Sequence, residues 1–386
     1  MKVLIAGGGT GGHIYPGIAV AEELKRLDSS TTIRFVGGNR GLEGRVVPEA
    51  GFELVTIGAR GLPRRAPWRV PGALLANLGA FFSSMRIVNE WKPDVVLGTG
   101  GYVSAPVIMA AWLARRPVVL QEQNSVPGLT NRLLARVADE VHLAFSESRG
   151  WFARKDRLKL SGNPVRRQIL SGERRPALAR FGLTEGVPTV FVFGGSRGAR
   201  RINEATLDAM SKLRGQLSAQ FILQTGKEDF AWAKERADAQ SLPVTVVPYL
   251  THIHEAYAAA DLVVCRAGAM TLAEIAACGV PAILVPYPFA AYNHQEINAQ
   301  NLAERGGAVS IRDSDLTGER LALELVRLLK DRETLVRMSV NARRFARPDA
   351  AQRIARNLLE WAADPAAKRA AREGIAGADS ADEDEA

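Results

Sequence analysis

The sequence predicts an α/β protein built from two doubly wound parallel-sheet domains. A continuous apolar run, a glycine-rich turn and an amphipathic helix open the chain as "KVLIAGGGTGGHIYPGIAVAEELKRL", and the same succession returns half a chain later as "TVFVFGGSRGARRINEATLDAMSKL". Two such starts argue for two domains rather than one large sheet.

"KVLIA" lacks alternation, as a parallel strand covered on both faces does. After "AGGGTGGH", Ala6 to His13, the residues Ile18, Val20, Ala21 and Leu24 follow helical spacing, and "TTIRFVG" reads as the next strand, completing a βαβ unit. "DVVLGTGGYVS" and "RPVVLQEQNSVPG" each place polar and glycine residues just after an apolar strand, at the sheet edge where such folds bind ligands. Gly162, Asn163 and Pro164 break the pattern, so a first domain is expected over 1–162 and a second over 163–346. In the second, Val190 to Phe193 is the opening strand, and "ADLVVCRAGAMTLAEIAACGVPAILVPYP" supplies strand, loop, helix and strand. Helical segments from Leu316 to about Ala362 finish the fold, and 364–386, ending "DSADEDEA", read as a disordered acidic tail.

Composition bounds the function. With 386 residues, 47% hydrophobic and 24% charged, the chain is an ordinary globular protein of about two domains. The apolar stretch Val70 to Phe82 falls short of the ~20 residues of a spanning helix. No signal peptide is apparent, so a cytoplasmic location is expected. Cys265 and Cys278 sit in apolar surroundings and read as packed thiols, not a disulfide or metal framework. A net charge of +9 suits nucleic acid, an anionic membrane or a phosphorylated substrate.

Gly7, Gly9 and Gly12 satisfy G-x-G-x-x-G in a strand-to-helix setting. A nicotinamide dinucleotide also needs an acid at the end of the second strand, where this chain has Gly37, Gly38 and Asn39. That reading falls, leaving a phosphate or diphosphate cradle, or a turn that needs glycine for its dihedrals alone. "GGSRGAR", Gly194 to Arg200, repeats the logic, with Ser196 as a hydroxyl donor and Arg197, Arg200 and Arg201 nearby. Thr271 and Glu274 form T-x-x-E, a capping box on helical grounds. Glu274 also stands at the sheet edge, where a carboxylate can accept from a ribose diol.

"GGGTGGHIYPGIAVA", "KPDVVLGTGGYVSAP", "EQNSVPGLTN", "GNPVR", "GGSRGARRIN", "CRAGAMTLAEIAACGVPAILVPYP" and "NHQEINA", in this order over about Met1 to Ala363, resemble the MurG family. The resemblance implies a GT-B architecture, two Rossmann-like domains facing across a cleft, with the last helix, about 347–363, returning to the first domain. It implies an inverting transfer of N-acetylglucosamine from its UDP donor to the C4 hydroxyl of undecaprenyl-diphospho-muramoyl-pentapeptide, in peptidoglycan synthesis. By the same resemblance Thr10, Gly11 and Gly12 lie near the diphosphate region, while Asn124, Arg166 and Ser196 bind the donor. Leu250 holds the uracil by its backbone, Ala269, Met270, Thr271, Leu272, Ala273 and Glu274 surround diphosphate and ribose, and Gln295 faces the sugar. No cofactor and no protein-held metal is implied. "AAYNHQ" departs from the family, with Tyr292 where aspartate is common.

Inversion requires a base for the acceptor hydroxyl, and His13 is the candidate because histidine titrates near neutrality. A structural role, or a hydrogen bond to the acceptor diphosphate, stays open beside it. The lipid acceptor requires a membrane contact. In 60–86, five arginines and no acid accompany a helical pattern. Leu74, Leu78, Phe81, Met85 and Val88 are expected to face a core, whereas Leu75, Phe82 and Trp68 beside Arg64, Arg65 and Arg69 suit an anionic headgroup surface. The implied location is peripheral, on the cytoplasmic face of the plasma (inner) membrane, in contact with other cell-wall synthesis proteins. A sugar-nucleotide epimerase would need no lipid-facing patch. A nucleic-acid module would show a basic stripe interleaved with aromatics, which is missing.

Overall fold

The computed structural model describes residues 1–39, 41–61, 68, 70–195 and 198–370. The chain divides into two compact units, one formed by Met1–Arg166 together with the chain from Pro348, the other by Arg167–Arg347.

The N-terminal unit holds seven strands: β1 (Lys2–Gly7), β2 (Thr32–Gly38), β3 (Glu53–Ile57), β4 (Val95–Gly100), β5 (Val118–Glu122), β6 (Glu140–Leu143) and β7 (Leu158–Leu160). All pair in parallel in the order β3-β2-β1-β4-β5-β6-β7, with Ile5 between Phe35 and Leu97. Both faces of β1 are buried, which is why its residues do not alternate in polarity. Leu4 and Ala6 pack with Ala80, Val88, Val107 and Ile108 on one face. Val3 and Ile5 pack on the other with Ile18 and Leu24 of the helix Gly11–Leu27. The chain order reverses between β1 and β4, which opens a crevice at their carboxyl ends.

The second unit repeats the plan with β8 (Thr189–Phe193), β9 (Gln220–Gln224), β10 (Val244–Val247), β11 (Leu262–Cys265), β12 (Ala282–Leu284) and β13 (Ala308–Ser310). Their order is β10-β9-β8-β11-β12-β13, again parallel, reversing between β8 and β11. Val190 and Val192 pack against Ile202, Leu207 and Met210 of the helix Arg200–Leu213 and against Leu321 and Leu325.

The helix Ala350–Ala363 completes the N-terminal core. Ile354, Leu358 and Trp361 are at most 1% exposed and join Ile5, Ile18 and Leu24. Each such burial contributes roughly 1.5–3 kcal/mol of transfer free energy. A buried polar seam locks the helix in place. Trp361 Nε1–H donates to Glu140 Oε2 at 3.1 Å, and His142 on β6 lies 3.2 Å from Asn357 Oδ1 through Nε2 and 2.6 Å from the Ser161 hydroxyl through Nδ1. Nε2 faces an oxygen that can only accept, so the neutral ring donates from Nε2 and accepts at Nδ1.

The helix Val70–Trp91 departs from expectation. Its buried positions are Ala73, Ala80, Ser84 and Val88, while Leu74 and Leu78, expected in the core, are 55% and 53% exposed. Small residues let this helix lie close on its neighbours, and the inward-turned Asn77 exchanges two hydrogen bonds with the Arg60 backbone. Leu74 and Leu78 therefore join Leu75 (71%), Phe82 (63%) and Trp68 (76%) on the exposed side. Arg64, Arg65 and Arg69 lie outside the described residues, as does the tail from 371. Among the described residues no helix is long and apolar enough to cross a membrane.

Burial holds the His142 imidazole below its ordinary 6.5, despite the nearby Glu140, and burial lowers His294 likewise. Both rings take up protons more readily in the unfolded chain, so their contribution to stability is complete above about 6.5 and is lost as pH falls below it. Thermal denaturation should therefore show a falling Tm between pH 7.5 and 5.5. His142→Gln should be less stable at pH 7.5 and show a shallower fall with acidity.

Candidate functional site

At the carboxyl edge of the N-terminal sheet, His13 occupies the first turn of the helix Gly11–Leu27, next to the β1–β4 crevice. Thr99, near the end of β4, holds it at two points. The Thr99 hydroxyl donates to the His13 carbonyl at 2.6 Å, and the Thr99 carbonyl lies 3.0 Å from His13 Nδ1. Because a carbonyl only accepts, Nδ1 carries the hydrogen and the neutral ring keeps its lone pair on Nε2. The Gln123 amide is aligned with the same carbonyl, donating to it at 2.7 Å, with Oε1 3.2 Å from Nδ1. Gly101, at φ +80°, allows this approach: a Cβ there would stand 2.5 Å from the Gly8 carbonyl and 3.3 Å from the His13 ring.

The polar chain continues along the edge. Gln123 Nε2 also meets Gln121 Oε1, Gln121 donates to Asn163 Oδ1 at 3.0 Å, and Asn163 donates back to the Gln123 carbonyl at 3.0 Å. Asn163 thereby ties the "GNPVR" loop to "EQN". Glu122 shapes the latter loop from beneath. Its buried carboxylate accepts from the Asn124 N–H (2.9 Å), the Asn124 amide (3.3 Å), the Gly128 N–H (3.1 Å) and the Asn131 amide (2.9 Å). Burial raises the Glu122 carboxyl, and these four donors oppose that shift.

The glycine loop itself holds an internal glutamate side chain. Glu43 is 0% exposed and accepts from the Gly38 N–H at 2.9 Å and the Gly9 N–H at 3.3 Å. The acid missing from the end of β2 is thus supplied five residues after Gly38, turned inward onto the loop. The Gly9 amide is committed within the protein, so the loop is not an open phosphate cradle at that position. Thr10 and Gly12 are exposed and Gly11 half-buried beyond it.

In the second unit, Gly194 and Gly195 follow β8, and Ser196 and Arg197 lie outside the described residues. Gly198, at φ +77°, lies so close to the Thr225 carbonyl that any Cβ would overlap it. The buried Gln224 joins two parts of this edge: Nε2 donates to the Gly195 carbonyl at 3.3 Å and Oε1 accepts from the Leu250 N–H at 3.0 Å. After β11, Gly268 is the N-cap residue of the helix Ala269–Cys278, with no side-chain cap. The capping-box reading of Thr271 and Glu274 is therefore corrected: Thr271 lies inside the first turn and Glu274 in the second. Glu274 Oε2 instead accepts from the Tyr257 hydroxyl at 3.0 Å. Ala269 and Leu272 are buried, while Met270, Thr271, Ala273 and Glu274 are half-buried. Gln295 Oε1 accepts from the Tyr287 N–H at 2.9 Å. Arg266 props that segment through the Val285 and Pro286 carbonyls (3.2 and 3.1 Å) and Asp313 (2.5 Å).

The Glycosyltransferase family 28 N-terminal domain matches residues 3–143, and the Glycosyltransferase family 28 C-terminal domain matches 189–354. A Chlorobaculum tepidum protein named UDP-N-acetylglucosamine--N-acetylmuramyl-(pentapeptide) pyrophosphoryl-undecaprenol N-acetylglucosamine transferase is 46% identical over 366 residues, 93% of this chain and 99% of its own. Its Myxococcus xanthus namesake is 44% identical over 359 residues, 92% and 91% of the two chains. The crystal structure of Acinetobacter baumannii MurG is similar with a TM-score of 0.73 and 33% identity, covering 93% of this chain and 99% of that one. The chain belongs to the MurG family of glycosyltransferases. A Neisseria meningitidis UDP-GlcNAc 2-epimerase, TM-score 0.68 at 14% identity, covering 93% and 100%, shares the fold alone. Membership settles the fold class as GT-B, seen here as two parallel-sheet α/β units.

The residues expected from the family motifs divide between the units. Thr10, Gly11, Gly12, His13, Asn124 and Arg166 belong to the N-terminal one, and Leu250, Ala269 to Glu274 and Gln295 to the other. Arg166 stacks on the Tyr15 ring with its guanidinium 4.5 Å from the centroid. Sequence reasoning passed over Thr99, Glu43, Glu122, Gln224 and Tyr257. Only Glu43 left a usable signal, an acid in "NRGLEG" close behind the position where one was sought.

Glu43→Gln keeps the side-chain shape but replaces one acceptor oxygen with a donor facing backbone N–H groups. It should lower stability by about 1–3 kcal/mol, read as a drop of several degrees in Tm.

Proposed function

We propose that this chain transfers N-acetylglucosamine from UDP-N-acetylglucosamine to the C4 hydroxyl of undecaprenyl-diphospho-muramoyl-pentapeptide, with inversion, in peptidoglycan synthesis. The names of the 44–46% identical relatives support donor and acceptor. The observation that carries the mechanism is the hold on His13, whose Nδ1 is engaged by the Thr99 carbonyl at 3.0 Å.

In this reading His13 Nε2 takes the proton of the C4 hydroxyl as its oxygen bonds to the anomeric carbon and the bond from that carbon to UDP breaks. The Thr99 carbonyl stabilises the imidazolium through Nδ1–H, and Gln123 keeps that carbonyl aligned. Thr10, Gly11 and Gly12 hold the diphosphate region near His13, while Asn124 and Arg166 approach the donor.

On the C-terminal unit the leaving diphosphate lies at Ser196 and at the starts of the helices Arg200–Leu213 and Ala269–Cys278, whose N-terminal amides favour negative charge. The Leu250 carbonyl accepts the uracil N3–H, Glu274 accepts from the ribose hydroxyls, and the Gln295 amide donates to the sugar. The exposed Trp68, Leu74, Leu75, Leu78 and Phe82, with Arg64, Arg65 and Arg69, bring the protein to the anionic cytoplasmic face of the plasma membrane as a peripheral protein.

Incubation with labelled UDP-N-acetylglucosamine and the lipid-linked muramoyl-pentapeptide should give a lipid-linked β-1,4 disaccharide and UDP; a competent acceptor left unconverted would refute the assignment. His13→Ala should lower kcat by roughly 10² or more with UDP binding unchanged, and near-normal turnover would remove His13 as base. The double variant Leu75→Asp, Phe82→Asp should lose sedimentation with phosphatidylglycerol vesicles while keeping the wild-type Tm. Equal binding to neutral vesicles would count against the anionic-surface reading.

A further inference from the structure

We propose that Tyr257 is a positioning residue of the nucleotide site, its hydroxyl aiming the Glu274 carboxylate so that the site selects ribonucleotides over 2′-deoxyribonucleotides. The inference rests on Glu274 as the ribose acceptor.

Tyr257, on the helix Ile253–Ala259, is 2% exposed and donates to Glu274 Oε2 at 3.0 Å. Its ring is wedged edge-on against Phe191 and Phe193, with centroids 5.7 and 6.0 Å away. Those two rings stand on β8 and stack on each other at 4.7 Å. Buried rings in such contact cannot turn without breaking several aromatic contacts at once. The position of the phenolic oxygen is thus set by a central strand of the sheet.

A glutamate has three rotatable bonds, and the Tyr257 hydroxyl fixes where one carboxylate oxygen of this half-buried one lies. Burial, with the Glu274 charge second, keeps Tyr257 protonated far above 10, so the phenol always offers its hydrogen. Burial and then Glu274 also push Cys278 up to about 12 and raise Cys265 further, so both neighbouring thiols stay neutral. A carboxylate has about four lone-pair positions, and Tyr257 occupies one of those on Oε2. A hydrogen bond to a charged group is short and directional, which is what aiming requires.

The test is calorimetric titration of the full chain with UDP and with 2′-deoxy-UDP, alongside steady-state kinetics with UDP-N-acetylglucosamine. Wild type should prefer UDP. Tyr257→Phe keeps the ring packing and should weaken UDP binding by about tenfold and 2′-deoxy-UDP by less, shrinking the ratio. Its KM for the donor should rise similarly, with kcat within about twofold. Phe191→Leu, which loosens the ring and spares the hydroxyl, should shrink the ratio partway and covers the case in which Tyr257→Phe does not fold. Glu274→Ala should abolish the preference. A folded Tyr257→Phe with the wild-type ratio, while Glu274→Ala loses it, would overturn the role of Tyr257 alone. A Glu274→Ala variant that keeps the ratio would overturn the ribose reading, and this inference with it.

Discussion

The grip of Thr99 on His13 is the constraint around which the N-terminal half is arranged. One residue binds both ends of the histidine, its hydroxyl to the main-chain carbonyl and its own carbonyl to the ring. That requires β1 and β4 to be adjacent, which only the reversed strand order provides. It also requires the backbone after β4 to pass close to the ring, hence the consecutive glycines Gly100 and Gly101 at positive φ. The alignment of Gln123, and through it Gln121 and Asn163, follows from the same carbonyl. A side chain in the first turn of a helix is thereby tied to the centre of the sheet, and preorganised catalytic groups depend on such support.

The fold was legible because its signals are local. Uninterrupted apolar runs, glycine turns and helical spacing repeat at two places, and each occupies the strand, turn or helix it suggests. The helix Val70–Trp91 was legible only in part. Spacing favoured Leu74, Leu78, Phe81, Met85 and Val88 for the core; Val88 is buried and Phe81 and Met85 pack against that core, but Leu74 and Leu78 are exposed and the small Ala73, Ala80 and Ser84 take the other buried places. The T-x-x-E at Thr271 misled for a related reason: the helix begins two residues before Thr271, with Gly268 as its cap. Sequence alone does not fix a boundary to better than a turn when glycine can fill the cap.

Half of the candidate site was invisible for a different reason. Thr99, Gln224 and Tyr257 act through partners that only folding brings near, 86 residues away in the case of Thr99 and His13 and 26 for Gln224 and Leu250, while Glu122 organises the loop that follows it. Glu43 is the plainest example. The chain shows an acid close behind the position where a dinucleotide fold needs one, but only folding shows that its carboxylate turns into the glycine loop. The Gly9 amide is satisfied from within the protein, and the candidate chemistry lies on the residues just beyond it.

The helix Ala350–Ala363 belongs to the core of the unit that begins at Met1, although the whole of Arg167–Arg347 lies between them in the chain. This bears on synthesis. A ribosome delivers the seven strands early, but the side chains that cover Val3, Ile5 and Leu24 on one face arrive after the second unit has been made. The second unit is contiguous and can close as soon as it emerges, whereas the first must wait with apolar surface uncovered. The half made first is therefore the half finished last, and its exposure to chaperones and to aggregation lasts until the second unit has been made.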